Sequence, residues 1–207
     1  GVAITNPTNN SRTPVNVPMP ITIRFQNSGV LNQPSARITA VVKNPSNQVV
    51  YRDTVTLTNW ISGSYRDTTF REFTPTTLGE HTILGIAILG NDQLRINDTV
   101  TGKVLARYEA DVRAVAVFDP EDDGEKPEGK AFQPVGIFES VGVRDLFDIR
   151  ARVQIRKCSD NSLVYQADSI PGIPELNIDE GQKKFSFPAK QGIYDIRNIQ
   201  PGCYKMC

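Results

Sequence analysis

The feature that most constrains this chain is its period. Apolar and polar residues alternate one by one in segment after segment, as in Ile21-Thr22-Ile23-Arg24-Phe25-Gln26, and Pro, Gly, Asn or Ser bound each segment. Successive strand residues face opposite sides of a sheet, so a period of two buries one face and wets the other. No apolar stripe of helical period with caps extends beyond a turn or two. The expected fold class is therefore all-β. In the first half Ile21, Ile23 and Phe25 should point inward, followed one strand later by Ala36, Ile38, Ala40 and Val42. In the second half Ile149, Ala151, Val153 and Ile155 should do the same, with Arg150, Arg152, Gln154 and Arg156 in water. Antiparallel sheets with one wet face each pack as a sandwich, and about seven strands in roughly 105 residues is the immunoglobulin-like pattern.

Composition divides the chain in two. All 16 threonines lie at or before Thr101. Up to Leu105 there are 9 basic and 6 acidic residues, and beyond it 14 and 17. The halves also repeat one another. Val2-Ala3-Ile4-Thr5-Asn6-Pro7 matches Val115-Ala116-Val117-Phe118-Asp119-Pro120, Phe25 to Val30 matches Phe138 to Val143, and Val49-Val50-Tyr51 matches Leu163-Val164-Tyr165. These landmarks are 113 to 114 residues apart. Further on, Phe73 near Pro75 corresponds to Phe187-Pro188, and Gly79-Glu80-His81 to Gly202-Cys203-Tyr204. A fixed offset argues for a repeated supersecondary unit. The expectation is two tandem immunoglobulin-like antiparallel β-sandwiches, residues 1–105 and 111–207, joined by a short linker at 106–110. About 25 residues follow Gly79 in the first unit but only Cys203 to Cys207 follow Gly202, so the second should lack its last strand. Either that strand lies beyond the residues given or the unit ends with an exposed sheet edge.

The first unit carries a resemblance. Its opening of the type x-V-x-I-x-x-P, the strand ending in Phe25-x-Asn27-x-Gly29, the late Gly79-x-His81, and Asn97-Asp98 before a final strand resemble the bacterial cell-adhesion-related (CARDB-like) immunoglobulin-fold domains. The second unit departs from that pattern, with Glu139-Ser140 in place of the Asn-bearing turn. The resemblance implies tandem modules of a large secreted or cell-surface protein. It also implies a non-catalytic role as spacer, stalk or adhesion segment, with flanking domains of the same polypeptide as the first partners.

Charge and residue inventory narrow the function further. Lys+Arg and Asp+Glu balance at 23 each, which removes any net field for nucleic-acid binding. A single histidine, His81, leaves little for proton shuttling or zinc, and no phosphate-cradling glycine motif occurs. We expect no enzyme activity, no cofactor and no metal site, and neither nucleic acid nor direct membrane insertion among its interactions.

Five places invite a closer reading. Cys158 and Cys203 fall on the outward side of strands expected to be antiparallel neighbours, so they can bridge or stand as reduced thiols, with Cys207 left over. Trp60 and Tyr65, in Asn59-Trp60-Ile61-Ser62-Gly63-Ser64-Tyr65, are the place for a glycan to stack, the alternative function being a carbohydrate-binding accessory module of a secreted hydrolase. Trp60 can equally plug the end of the sandwich. Asp119 to Glu125 is an acidic loop with oxygens for calcium but without the EF-hand register. Arg144, Arg150, Arg152, Arg156 and Lys157 form a basic row that an anionic polysaccharide or phosphate could use, or that merely keeps a sheet face wet. His81 sits where such sandwiches use a tyrosine to tie down a turn.

Overall fold

The computed structural model describes residues 2–89, 97–120, 124–126 and 129–207. Among these there is no α-helix; the elements are strands and short 3-10 turns. The chain divides into two compact units, Gly1–Glu109 and Ala110–Cys207.

Unit 1 comprises β1 (Ala3–Asn6), β2 (Ser11–Pro14), β3 (Met19–Gln26), β4 (Gln33–Lys43), β5 (Val49–Trp60), β6 (Tyr65–Phe73), β7 (Gly79–Ile88) and β8 (Thr99–Arg107). One sheet has the order β1-β3-β6 and the other β2-β8-β7-β4-β5. All pairings are antiparallel except β2 with β8. The inward residues read from the sequence are the core: Ile21, Ile23 and Phe25 of β3 and Ile38, Ala40 and Val42 of β4 are each 0% exposed. Met19, Ala36, Trp60, Phe70, Phe73, Ile83 and Val104 complete the cluster. Burying these aliphatic and aromatic faces supplies the main drive for folding, of order 1.5–3 kcal/mol per large side chain. At Gly85 the two sheets approach so closely that a Cβ would lie 2.8 Å from Ile23 and 2.9 Å from Val100.

The wet faces are organised by pairs directly across the ladder, the unit of sheet stabilisation. Arg24 grips Asp67 with two hydrogen bonds of 2.7 Å, and Thr22 meets Thr69 at 2.9 Å. Two residues expected in the linker belong to β8: Ala106 pairs with Gly79 and is fully buried, and Arg107 pairs with Pro14 of β2. The alternation Val104-Leu105-Ala106 carries the strand on past Leu105.

Unit 2 comprises β9 (Val112–Asp119), β10 (Val135–Ser140), β11 (Leu146–Ile149), β12 (Arg152–Lys157), β13 (Leu163–Asp168), β14 (Ile173–Leu176), β15 (Lys183–Ser186), β16 (Lys190–Gln191), β17 (Tyr194–Asp195), a 3-10 turn (Ile196–Asn198) and β18 (Tyr204–Met206). Its two main sheets run β15-β10-β9 and β13-β12-β18, with β11-β14 and β16-β17 as small antiparallel pairs. Val153, Ile155, Tyr165, Ala167, Phe187 and Ile196 form the core. The single strand expected from Ile149 through Ile155 is two strands. Asp148 takes a left-handed φ of 50°, β11 pairs with β14 and β12 with β13, and Ile149 and Ala151 are only half-buried. Ser169 stitches the break, accepting from the Ala151 N–H at 2.8 Å. Among the described residues, no strand pairs with the outer side of β18.

Candidate functional site

The residues that could contact a partner gather at one end of unit 1, and Asn27 builds that end. It follows β3 and is 3% exposed. Its Nδ2 donates to the Leu31 carbonyl at 3.0 Å and the Trp60 carbonyl at 3.1 Å, while its Oδ1 accepts from the Gly29 N–H at 3.2 Å. One buried amide thus ties the 27–32 turn to the end of β5. Ser62 adds a second tie, its Oγ donating to the Gly29 carbonyl at 2.6 Å and its N–H to Asn32 Oδ1 at 2.8 Å. Buried polar groups satisfied this completely hold a loop rigid, since freeing any one of them strands the others away from water.

Above this lattice stand apolar side chains. Val30 is 91% exposed, Leu31 70%, Ile61 58% and Tyr65 56%. Neither segment 26–33 nor segment 60–64 contains a charged residue. Hydrogen-bonded, uncharged and apolar, this tip has the character of exposed patches that mark interaction sites. Trp60 lies beneath it: the ring is 1% exposed and its Nε1 donates to the Ser64 carbonyl at 3.3 Å. Its faces are packed into the core, so only Tyr65 of the two aromatics is presented to a ligand. In the sequence only the Phe25-x-Asn27-x-Gly29 pattern marks Asn27, and nothing marks the exposed aliphatics.

In unit 2, Cys158 and Cys203 form a disulfide with Cα atoms 5.5 Å apart, and Cys207 is a free, exposed thiol. The bridge joins β12 to the approach of β18, where the Cys158 N–H also donates to the Cys203 carbonyl at 3.0 Å. The basic row is not an open groove. Arg152 is bound to Asp168 across the ladder at 2.6 and 3.3 Å, and Arg156 donates to Gln154 and the Asn161 carbonyl. Arg150 lies outside β12, in the break between β11 and β12. Of the acidic loop, Glu121, Asp122 and Asp123 lie outside the described residues, and Asp119 is ion-paired with Lys126.

His81 is 1% exposed, its ring nitrogens 3.2 Å from the Gly79 carbonyl and 3.3 Å from Thr77 Oγ1, and its ring against Phe73. At the matching place in unit 2 the Tyr204 hydroxyl donates to the Gln200 carbonyl. Another matched pair does the same work. Tyr51 donates to the Arg71 carbonyl at 2.6 Å and Tyr165 to that of Pro188. Burial, reinforced by the Asp53 charge for Tyr51 and the Asp195 charge for Tyr165, pushes both phenols up to about 12.

The carboxylates move the other way. Arg24 hydrogen bonding holds Asp67 below the usual carboxylate range, and Arg152 does so for Asp168. At Asp53 burial pushes upward, but the Arg71 side chain and N–H outweigh it and the group sits low. Asp195 is lowered to about 2 by the Arg197 side chain and then by its N–H, which it caps at 3.0 Å.

No family model matches this chain, and no curated protein does. Among solved structures, the chain is similar to the CARDB domain of a Pyrococcus furiosus protein in complex with di-metal ions, at 19% identity over 48% of this chain and 82% of that one, with a TM-score of 0.38. It is also similar to the calcium binding domain CBD12 of CALX1.2, at 9% identity over 88% and 72% of the two chains, with a TM-score of 0.41. A chaperone–tip adhesin complex of CFA/I fimbriae aligns over 85% of this chain and 84% of that one, at 13% identity and a TM-score of 0.29.

Proposed function

We propose that the chain is a pair of non-catalytic immunoglobulin-like modules, copies of one ancestral unit, serving as a spacer or adhesion segment of a larger secreted or cell-surface protein. The observation that carries this reading is where the ionisable groups are used. Every described carboxylate with a displaced pKa is displaced downward; Asp67 and Asp168 owe it to an arginine across the ladder, Asp53 to Arg71 of the other sheet, and Asp195 to Arg197 in a turn. A general acid needs the opposite displacement, in a cleft with a partner group. The Cys158–Cys203 bridge suits an oxidising compartment, where such bonds persist. In an adhesive role the contact runs through Val30, Leu31 and Ile61, which an exposed surface does not otherwise favour.

The test is binding of the purified chain to immobilised glycans and extracellular proteins, beside the Val30→Asp/Leu31→Asp variant. Saturable binding that falls at least tenfold in the variant assigns adhesion to the tip. Binding unchanged in the variant removes the tip from the account, and turnover of any glycan or peptide contradicts the non-catalytic reading.

A further inference from the structure

The outer face of the larger unit 1 sheet does not read as a wet face. A strand with one side in water alternates apolar and polar residues, whereas a strand covered on both sides is an unbroken apolar run. β7 carries such a run: Ile83-Leu84-Gly85-Ile86-Ala87-Ile88-Leu89 contains no polar side chain. Ile83 is in the core cluster and Ala87 and Leu89 pack against it, so alternation sends Leu84 and Ile86 to the opposite face, where each is half-buried. The neighbouring strand does the same. On β4, Ile38, Ala40 and Val42 enter the core, which sends Thr39 and Val41 outward. Val41 is opposite Leu84 and Thr39 opposite Ile86, so the four side chains adjoin. Val41 is 2% exposed without being a member of the core cluster. Threonines border the strip: Thr54 of β5, whose hydroxyl meets that of Thr39 at 2.9 Å, and Thr99 and Thr101 of β8.

The free charges around the strip are of one sign. By the same alternation Arg37 and Lys43 of β4 and Arg52 of β5 stand on the outer face, Arg52 directly opposite Val41. Arg37 and Arg52 are exposed and Lys43 is half-buried, and none of the three has an ion pair among the described residues. The one acid that alternation puts on this face of β4, β5, β7 and β8 is Glu80, and it is bound to Lys103 at 2.9 Å. An apolar centre inside a polar rim is the anatomy of a protein interface, and a rim of one charge selects a partner of the other. The strip is aliphatic and offers no aromatic platform for a sugar ring, which favours a protein over a polysaccharide.

We infer that the outer face of β5, β4, β7 and β8 docks a second protein through an apolar stripe edged with carboxylates. The stripe would cover Val41, Leu84 and Ile86, and its acids would meet Arg37, Lys43 and Arg52. This face uses none of the tip residues Val30, Leu31 and Ile61, so either proposal can fail alone.

The probe is an amphipathic helical peptide with a leucine stripe bordered by glutamates, added to the whole 207-residue chain and followed through the methyl NMR signals of Val41, Leu84 and Ile86. Saturable shifts at these methyls are expected. Arg37→Glu with Arg52→Glu should weaken the peptide at least tenfold and favour a version carrying lysine for glutamate; Arg52→Glu alone should weaken it by less, and serves if the pair disturbs folding. Ile86→Thr, a β-branched replacement that suits a strand, should also weaken the peptide at least tenfold. A heparin oligosaccharide is the competing polyanion. If it shifts the same methyls and Ile86→Thr leaves its affinity unchanged, an anionic polysaccharide replaces the protein partner and the inference is overturned. A peptide that fails to saturate, shifts confined to Val30, Leu31 and Ile61, or affinity indifferent to the reversed arginines overturns it as well.

Discussion

Units 1 and 2 share an order of strands and differ in what holds them. In each, the first strand lies beside an early strand that also pairs with a later one: β1-β3-β6 in one, β9-β10-β15 in the other. In each, the central strand of the second sheet sits between its hairpin partner and the corner strand: β5-β4-β7 and β13-β12-β18. Unit 1 fills this frame with long strands, β4 of 11 residues and β5 of 12, and with thirteen buried core residues. In unit 2, β12 and β13 have 6 residues each, the described core cluster has six members, and a disulfide clamps β12 to the β18 end. Shorter strands bury less apolar area, and a cross-link offsets the loss by restricting the unfolded chain.

The largest effect expected is on the side that relies on packing. Trp60→Ala empties the end of the unit 1 core and should cost ~3–5 kcal/mol in calorimetry, leaving the unit 2 transition in place. Cys203→Ser should then do the reverse. Its bridge spans 45 residues, and a loop of that size corresponds to ~4 kcal/mol in the chain-entropy picture, lost from unit 2 alone. Gly85→Ala is expected to destabilise unit 1 by ~1–3 kcal/mol through overpacking, because its Cβ would meet both Ile23 and Val100.

The smaller effects bear on whether the units are copies. Tyr51→Phe and Tyr165→Phe should each cost about 1 kcal/mol, by removing the donor to a backbone carbonyl. A neutral result at one of them breaks the equivalence that the sequence offset implies. The finest probe is the Asp195 carboxyl followed by NMR. Its folded pKa of about 2 lies below the ordinary value, so its contribution is complete above roughly pH 4 and lost as pH falls through 2. Asp195→Asn should flatten the acid limb of unit 2 stability in that window; a midpoint near the ordinary value would disconnect it from Arg197.

Much of this was legible before any coordinate. Alternation placed Ile21, Ile23 and Phe25 inside because a two-residue period has one physical meaning in a sheet. It failed at Ile149, because β11 ends there, one residue after the left-handed Asp148, and β12 starts at Arg152 without any interruption of the apolar rhythm. It also stopped β8 too early, since the composition changes near Leu105 while the hydrogen-bond ladder continues to Arg107. The site was harder. Trp60 and Tyr65 are five residues apart and look alike in sequence, yet one seals the core and the other faces water. Trp60 closes β5 against the core cluster, and the Asn27 hydrogen bond to its carbonyl crosses from another loop and leaves no mark in local sequence.

The central claim is that two sandwiches each carry their own core, the second clamped by a bridge. Calorimetry of the whole chain with and without reductant tests it most directly. Two transitions are expected, of which reductant lowers only the one belonging to unit 2, the shift matching that of Cys203→Ser. A single transition, or two that move together when the bridge is reduced, would contradict it.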